Sequence, residues 1–241
     1  MHFSHNLLNF VAKVQKTWTL MYKMKAITKL RERIESDYFD YTQLMEVLSN
    51  YKKPRDVVTS LLKKGDIIRI RKGFYIFSEF WRRQSLEPVA LSNLIYGPSA
   101  LSLDFALAWY GLIPERVEMF TSITPGRSRM YKSPIGSFSY AQLSLQRYRT
   151  GLTIHQNSTG NILMAEPLKA LADKAWMDKR FKPTSSSSYG DYLFNDLRID
   201  REMLGSYYNT EKLIDLDLAY QTRKISWLIS FLNMQFREDN E

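Results

Sequence analysis

Apolar residues recur at helical intervals in the first part of the chain. Ile27, Leu30 and Ile34 lie three or four positions apart, which places them on one face of a short helix. Asp40 and Gln43 stand in the capping-box arrangement, in which each side chain can bond to the backbone of the other residue. A second helix is therefore expected to begin at that point.

A third helix is predicted between Pro54 and Gly65. Proline suits the first helical turn because it lacks an N–H, and glycine is favoured just after a helix ends. The helical period separates two faces in this segment. The apolar face holds Val57, Val58, Leu61 and Leu62, and the opposite polar face holds Asp56, Thr59, Ser60 and Lys63. Such a polar face suits contacts with the edges of DNA bases.

After this helix the pattern changes to alternation. Ile68 and Ile70 alternate with two arginines, residues 72–73 predict a tight turn, and the aromatic and β-branched run 74–77 predicts a returning strand. Three helices followed by a basic hairpin predict a winged helix-turn-helix domain over residues 26–83.

The remainder of the chain, 84–241, mixes helical and strand-like patterns. Ser102 is expected to cap one helix, and another is expected to begin at Pro167. Strands are predicted in four segments, 117–124, 137–145, 152–155 and 161–164. The fold class expected is α+β: an N-terminal winged helix-turn-helix domain, then a mixed α+β domain with a core at 84–181 and a helical C-terminal part at 189–237. The serine run 185–188 is expected to be an exposed connection between the two parts.

Positive charge is concentrated in the predicted hairpin domain. The formal net charge is +9, and residues 52–83 alone contain ten basic and three acidic side chains. A local excess of this kind favours a polyanion as partner, because neutralised phosphates release counterions. Double-stranded DNA is the partner expected, and a solvated face on a protein-binding helix-turn-helix is the alternative. The candidate DNA contacts are Lys52, Lys53, Arg55, Thr59, Ser60, Lys63, Lys64, Arg69, Arg71 and Lys72.

Residues 1–25 form a basic arm with an amphipathic pattern. The arm has four lysines, and no acidic residue occurs before Glu32. An extra packed helix, a tail, or an arm in the minor groove of DNA would each account for it. Lys13 and Lys16 interrupt its apolar cluster, so neither a secretory signal nor a membrane span is predicted, and the expected compartment is the cytoplasm.

Composition and spacing favour a protein without catalytic chemistry. The chain has no cysteine and three scattered histidines, so neither a cofactor nor a metal centre is predicted. Asp215 and Asp217 imitate a nucleotidyltransferase Asp-x-Asp pair, but two residues apart on a helix they point about 200° apart. His155 has no identifiable Ser or Asp partner in the sequence, so a structural role is expected. An enzyme that uses residues 205–217 remains a third alternative.

Six stretches share motifs with one known family. They are 63–75, 96–107 (YGPSALSLDFAL), 110–114 (YGLIP), 121–129 (TSITPGRSR), 136–140 (GSFSY) and 166–173 (EPLKALAD). In this order and spacing they resemble the AbiEi-type antitoxins of type IV toxin-antitoxin systems. The chain departs from that family in its long basic arm and in a third helix that is poorer in arginine.

The resemblance implies a DNA-binding autorepressor and antitoxin. Its winged helix would bind the promoter of its own operon, usually at inverted repeats, and its C-terminal region would neutralise a nucleotidyltransferase toxin without a stable complex, in phage defence. Arg127 and Arg129 are the candidate residues for neutralisation, since exposed guanidinium groups suit phosphates and carboxylates. The alternative function is a transcriptional regulator whose second domain senses a ligand or mediates oligomerisation, with no toxin partner.

Overall fold

The computed structural model describes residues 26–157 and 160–237, and the chain divides into two compact units between Leu86 and Glu87. Each unit contains both helices and a sheet, which confirms the predicted α+β class. The predicted basic arm, 1–25, lies outside the described residues. Within the described ranges no helix combines the length and the apolar character that crossing a bilayer requires.

The first unit is built from three helices and one small antiparallel sheet. Its elements are α1 (26–33), β1 (Tyr38–Asp40), α2 (Tyr41–Val47), α3 (Pro54–Lys64), β2 (Ile67–Arg71) and β3 (Phe74–Phe77). The strand order is β1-β3-β2. The helices and the β2–β3 hairpin confirm the predicted elements. Strand β1 was not predicted, because it is only three residues long and gains its partners from β3, far along the chain.

Local sequence signals fix the helix ends of this unit. The Asp40 carboxylate accepts a hydrogen bond from the Gln43 N–H at 2.8 Å, and the Asp40 N–H donates to Oε1 of Gln43 at 3.0 Å. The predicted capping box is therefore confirmed. Pro54 occupies the first residue of α3, and Gly65 ends the helix with φ at 73°, a left-handed conformation that favours glycine.

The hairpin departs from the predicted alternation. Ile68 and Ile70 were predicted to alternate with two arginines, whereas Ile67 and Ile70 are the buried isoleucines and Ile68 is half-buried. The reason is a bulge between Arg69 and Arg71, where the pairing with β3 skips Ile70. One extra residue in a strand reverses the face of the side chains that follow it.

The second unit contains a six-stranded sheet and a set of helices. Its first elements are α4 (Pro88–Ile95), β4 (Ala100–Leu101), α5 (Leu103–Trp109), β5 (Met119–Thr124), β6 (Arg129–Ser133), β7 (Gly136–Gln142), α6 (Leu145–Arg149), β8 (Leu152–Asn157) and β9 (Gly160–Ala165). The strand order is β6-β7-β5-β4-β9-β8. Strands β5 and β7 are parallel, as are β4 and β9, and the other neighbours are antiparallel. Strands β6 and β8 form the two edges.

Helices complete the second unit. They are α7 (Pro167–Met177), α8 (Ser188–Asp191) with a π-helical turn at Tyr192–Asp196, α9 (Arg201–Ser206), α10 (Thr210–Tyr220) and α11 (Arg223–Phe236). Leu171 of α7, Tyr189 of α8 and Leu228 of α11 belong to one buried cluster. Helix α8 begins at Ser188, inside the serine run, and Tyr189, directly after the run, is fully buried. The last serine is therefore helical, whereas the run was expected to be an exposed connection.

Candidate nucleic-acid interface

The net charge of the protein lies entirely in the first unit. Residues 1–86 contain seventeen basic and eight acidic side chains, while residues 87–241 contain seventeen of each. The excess of nine positive charges is therefore confined to about a third of the chain. A polyanion would be attracted to this unit and not to the second unit as a whole.

Helix α3 presents the predicted polar face to solvent. Val58 and Leu61 are buried, whereas Asp56, Thr59 and Lys63 are exposed. Ser60, predicted on the same polar face, is half-buried. The Thr59 hydroxyl donates its proton to the Arg55 carbonyl at 3.0 Å. While this hydrogen bond to Arg55 is kept, the Thr59 oxygen can accept a hydrogen bond from a DNA base but cannot donate one.

Cations flank the start and the end of α3. Lys52, Lys53 and Arg55 are exposed at its first turn, and Lys63 and Lys64 are exposed at its last. In the described part of the chain none of these five side chains forms an ion pair with a carboxylate. Their charge is therefore available to phosphates.

The hairpin carries the remaining predicted cations. Arg69 and Lys72 are exposed, while Arg71 is half-buried. The Arg71 guanidinium donates to the Lys72 carbonyl at 3.0 Å and lies 5.7 Å from the ring centroid of Phe74. Arg71 is thus held against the hairpin, and Arg69 and Lys72 are the cations that project from it.

Of the two further arginines in the basic segment, Arg83 has structural partners. The Arg83 guanidinium donates to the Arg31 carbonyl at 3.2 Å, and Arg82 is half-buried. The Asp37 carboxylate accepts from the Arg31 guanidinium at 2.5 Å and from the Arg83 N–H at 3.0 Å. Arg31 also donates to the carbonyl of Ile34 at 2.6 Å. This cluster was missed in the sequence because its members are separated by up to 52 residues.

The second unit places Arg127 and Arg129 at the end of the sheet. Both are exposed; Arg127 lies in the connection after β5, and Arg129 begins β6. Strand β6 pairs with β7 and forms an edge of the sheet, so Arg129 belongs to an edge strand.

A buried polar cluster lies in the interior of the second unit. Nζ of Lys169 lies 2.5 Å from the Asp173 carboxylate and 2.8 Å from the Tyr220 hydroxyl. Tyr220 also donates to Asp173, and Ser102 donates to the same carboxylate at 2.6 Å. Burial lowers the pKa of Lys169, opposed by the Asp173 charge, and burial raises the pKa of Tyr220.

This cluster corrects one prediction and supplies residues that the sequence analysis missed. Ser102 sits at the start of α5, but it makes no side-chain cap bond there because its hydroxyl is directed to Asp173. Lys169 and Asp173 are four residues apart on α7. Because the same spacing is common in ion pairs on exposed helix surfaces, it did not indicate a buried pair. All four members are at most 1% exposed, so their hydrogen bonds lie in the interior of the second unit.

The residues considered as catalytic candidates are not grouped in one site. Asp217 accepts a hydrogen bond from the Ser226 hydroxyl at 2.7 Å, whereas Asp215 is exposed on the same helix. Nε2 of His155 lies 2.8 Å from the hydroxyl of Tyr110, a partner that the sequence did not reveal. Burial raises the pKa of Tyr110. Among the described residues no group of three or more histidine and carboxylate side chains is arranged to hold a metal ion.

Comparisons with known proteins add no identification. No family model matches the chain, and no curated protein matches it either.

Proposed function

We propose that this protein is a type IV antitoxin of the AbiEi type that also represses its own operon. In this proposal residues 26–83 form a winged helix-turn-helix domain that binds promoter DNA in the cytoplasm, and residues 84–241 counteract a nucleotidyltransferase toxin. The observation that carries the DNA-binding part is the confinement of the whole net charge of +9 to residues 1–86. The antitoxin part rests on the sequence motifs.

The order of elements supports a winged helix. A capped second helix, an exposed third helix and a basic hairpin follow one another, and β1 joins the hairpin in one sheet. In such domains the third helix enters the major groove and the hairpin contacts the adjacent backbone. We assign α3 to the groove, and we assign Arg69 and Lys72 to the phosphates beside it.

Most of the proposed contacts are with phosphates. Lys52, Lys53 and Arg55 lie at the start of α3, where the helix dipole also favours an anion. Phosphate contacts fix the register of a protein on DNA but do not read its sequence. Thr59 is the candidate for sequence readout, since its hydroxyl oxygen can accept from the amino group of cytosine or adenine.

The proposed activity in the second unit is binding or interference, with no catalytic residue assigned. The separate surroundings of Asp215 and Asp217 agree with that assignment, because Asp217 accepts a hydrogen bond from Ser226 whereas Asp215 is exposed. Arg127 and Arg129 are the proposed neutralising residues. Both guanidinium groups are exposed and form no ion pair within the described ranges.

A growth assay tests the two parts separately. The proposal requires a nucleotidyltransferase encoded beside this gene. Cells would express that protein together with the full chain, with the double variant Lys63→Glu and Arg69→Glu, or with Arg127→Ala and Arg129→Ala. We expect rescue by the full chain and by the first variant, and loss of rescue with the second. Lys179→Ala with Lys182→Ala, two exposed cations elsewhere in the second unit, is the control.

Promoter binding by the same proteins completes the assay. The Lys63→Glu and Arg69→Glu variant should lose binding to the upstream DNA, and the Arg127→Ala and Arg129→Ala variant should keep it. If the full chain binds the promoter but does not rescue growth when both proteins are detected by immunoblot, the antitoxin part is wrong. That result would favour a ligand-sensing regulator.

A further inference from the structure

The outer edge of the sheet at β6 is open and positively charged. Strand β6 pairs with β7 on one side, and in the described part of the chain its backbone makes no hydrogen bond to any other element. Arg127, Arg129 and Lys132 are exposed along this edge. An open edge offers alternate N–H and C=O groups to an added strand.

The charge at this edge is not balanced by neighbouring acids in the sequence. Between Glu118 and Glu166 the chain has five basic residues and no aspartate or glutamate. All of β5 to β9 lies inside this interval. The second unit is neutral as a whole, so its acids lie in the flanking segments and the sheet segment is positive.

Side chains on the two faces of β6 define what could pair with it. Successive residues of a strand point to opposite faces, so Arg129 and Tyr131 share one face and Met130 and Lys132 share the other. The Tyr131 ring packs 5.9 Å from that of Tyr140 and is held by the unit itself. Met130 is 58% exposed, which leaves an apolar contact beside Lys132 on the same face.

We propose that the β6 edge binds an extended acidic segment of another protein by strand addition. Two acidic residues separated by two positions would lie opposite Arg129 and Lys132. Of the two residues between them, the one opposite Met130 would be apolar. A second copy of this chain does not suit the edge, because two β6 strands would bring their arginines and lysines together. The edge cations thus disfavour self-pairing and favour an acidic partner.

The test uses the full-length protein with neither toxin nor DNA, so its outcome is independent of the proposed function. The probe is a fluorescein-labelled ten-residue peptide that contains Glu-Val-Val-Glu within a threonine and valine background, so that an apolar residue lies opposite Met130 in either strand direction. A second peptide has lysine in place of both glutamates, and a third has the first sequence with alternate backbone nitrogens methylated. Fluorescence anisotropy measures the Kd of each peptide at low ionic strength.

We expect saturable binding of the acidic peptide alone, and slower hydrogen exchange of the β6 amides when it is bound. The double variant Arg129→Glu and Lys132→Glu should raise the Kd by about tenfold or more, whereas Lys179→Glu with Lys182→Glu should leave it within about twofold. The proposal is overturned if the acidic peptide does not saturate, if the methylated peptide binds equally well, or if both double variants weaken binding alike. Self-association through β6, detected by sedimentation, would also overturn it.

Discussion

Nζ of Lys169 lies 2.5 Å from Oδ1 of Asp173, one helical turn away, and both side chains are almost completely buried. A second pair, Lys174 with Asp104, has the same separation of 2.5 Å but side chains that are 20% and 39% exposed. The two lysines belong to the same helix, α7. The two ion pairs therefore show how burial affects the strength of a pair, since their N–O distances are equal and both lysines lie on one helix.

Lys169→Ala is expected to destabilise the second unit by about 3 kcal/mol or more, because it leaves a buried carboxylate without its cation. Lys174→Ala should cost less than about 1 kcal/mol, since water screens that pair. Native-state hydrogen exchange of the α7 amides would measure the stability loss of each variant in the second unit, without a contribution from the first unit. Equal losses in the two variants would contradict the prediction.

The second unit is expected to lose stability above pH 10. The Tyr189 hydroxyl donates to the Lys224 carbonyl at 2.6 Å, and burial raises the pKa of Tyr189. In the unfolded chain this group ionises near pH 10, so above that pH the folded state holds more protons and stability falls as pH rises. Tyr189→Phe should reduce the loss between pH 9 and pH 11 by about 1 kcal/mol in urea unfolding.

Tyr189→Phe also removes one hydrogen bond and should lower stability at pH 9 by about 1 kcal/mol. Ile225→Val, at a fully buried position, is the control because it should cost a similar amount at every pH. If Tyr189→Phe keeps the native alkaline slope, titration of Tyr189 does not contribute to it.

Salt dependence should distinguish phosphate-binding cations from structural ones within the first unit. Lys63→Ala is expected to weaken promoter binding for all sequences and to lower the slope of log K against log salt by about one unit. Arg83→Ala removes the same charge, but the Arg83 guanidinium is bonded to backbone carbonyls, so its slope should stay unchanged. Anisotropy titrations at several salt concentrations measure the slopes. Equal slopes for the unaltered protein, Lys63→Ala and Arg83→Ala would contradict the assignment of Lys63 to a phosphate contact.

Two glycines with positive φ should tolerate alanine differently. Gly151 has φ at 66°, and a Cβ there would lie 2.9 Å from Cβ of Lys169, whereas a Cβ on Gly65 would meet nothing within 4 Å. Gly65→Ala should cost about 1 to 2 kcal/mol from the left-handed backbone alone. Gly151→Ala should cost more, because Lys169 is fixed by its ion pair and cannot move away. Hydrogen exchange of the α3 and α7 amides would measure the stability loss in each unit separately. Equal losses for Gly65→Ala and Gly151→Ala would show that the Lys169 side chain can move away from the added methyl group.

The sequence predicted the elements whose signals are local. The Asp40 and Gln43 side chains bond to one another's backbone across three residues, and Pro54 and Gly65 act on their own φ angles. Such signals do not depend on distant parts of the chain. For this reason the helix ends of the first unit followed from the sequence.

Features set by distant contacts were missed. Strand β6 has a polar sequence and becomes a strand through its pairing with β7. Ser102 has the residue type of a helix cap, but its hydroxyl donates a hydrogen bond to Asp173, 71 residues away. The exposed cations of α3 and of the hairpin were predicted from charge alone, whereas the roles of Arg71 and Arg83 depend on carbonyl groups that only the folded backbone supplies.

The Asp37 carboxylate sets where an independently stable first unit could end. It accepts hydrogen bonds from the N–H groups of Arg83 and Gln84 at 3.0 and 3.1 Å, beyond the last strand of that unit. A fragment cut after Phe77 would retain every helix and strand yet leave this carboxylate with the Arg31 cation as its remaining partner. Asp37, between α1 and β1, thus ties Arg83 and Gln84 to the first unit, and a fragment of this unit must extend to Gln84 to keep these bonds.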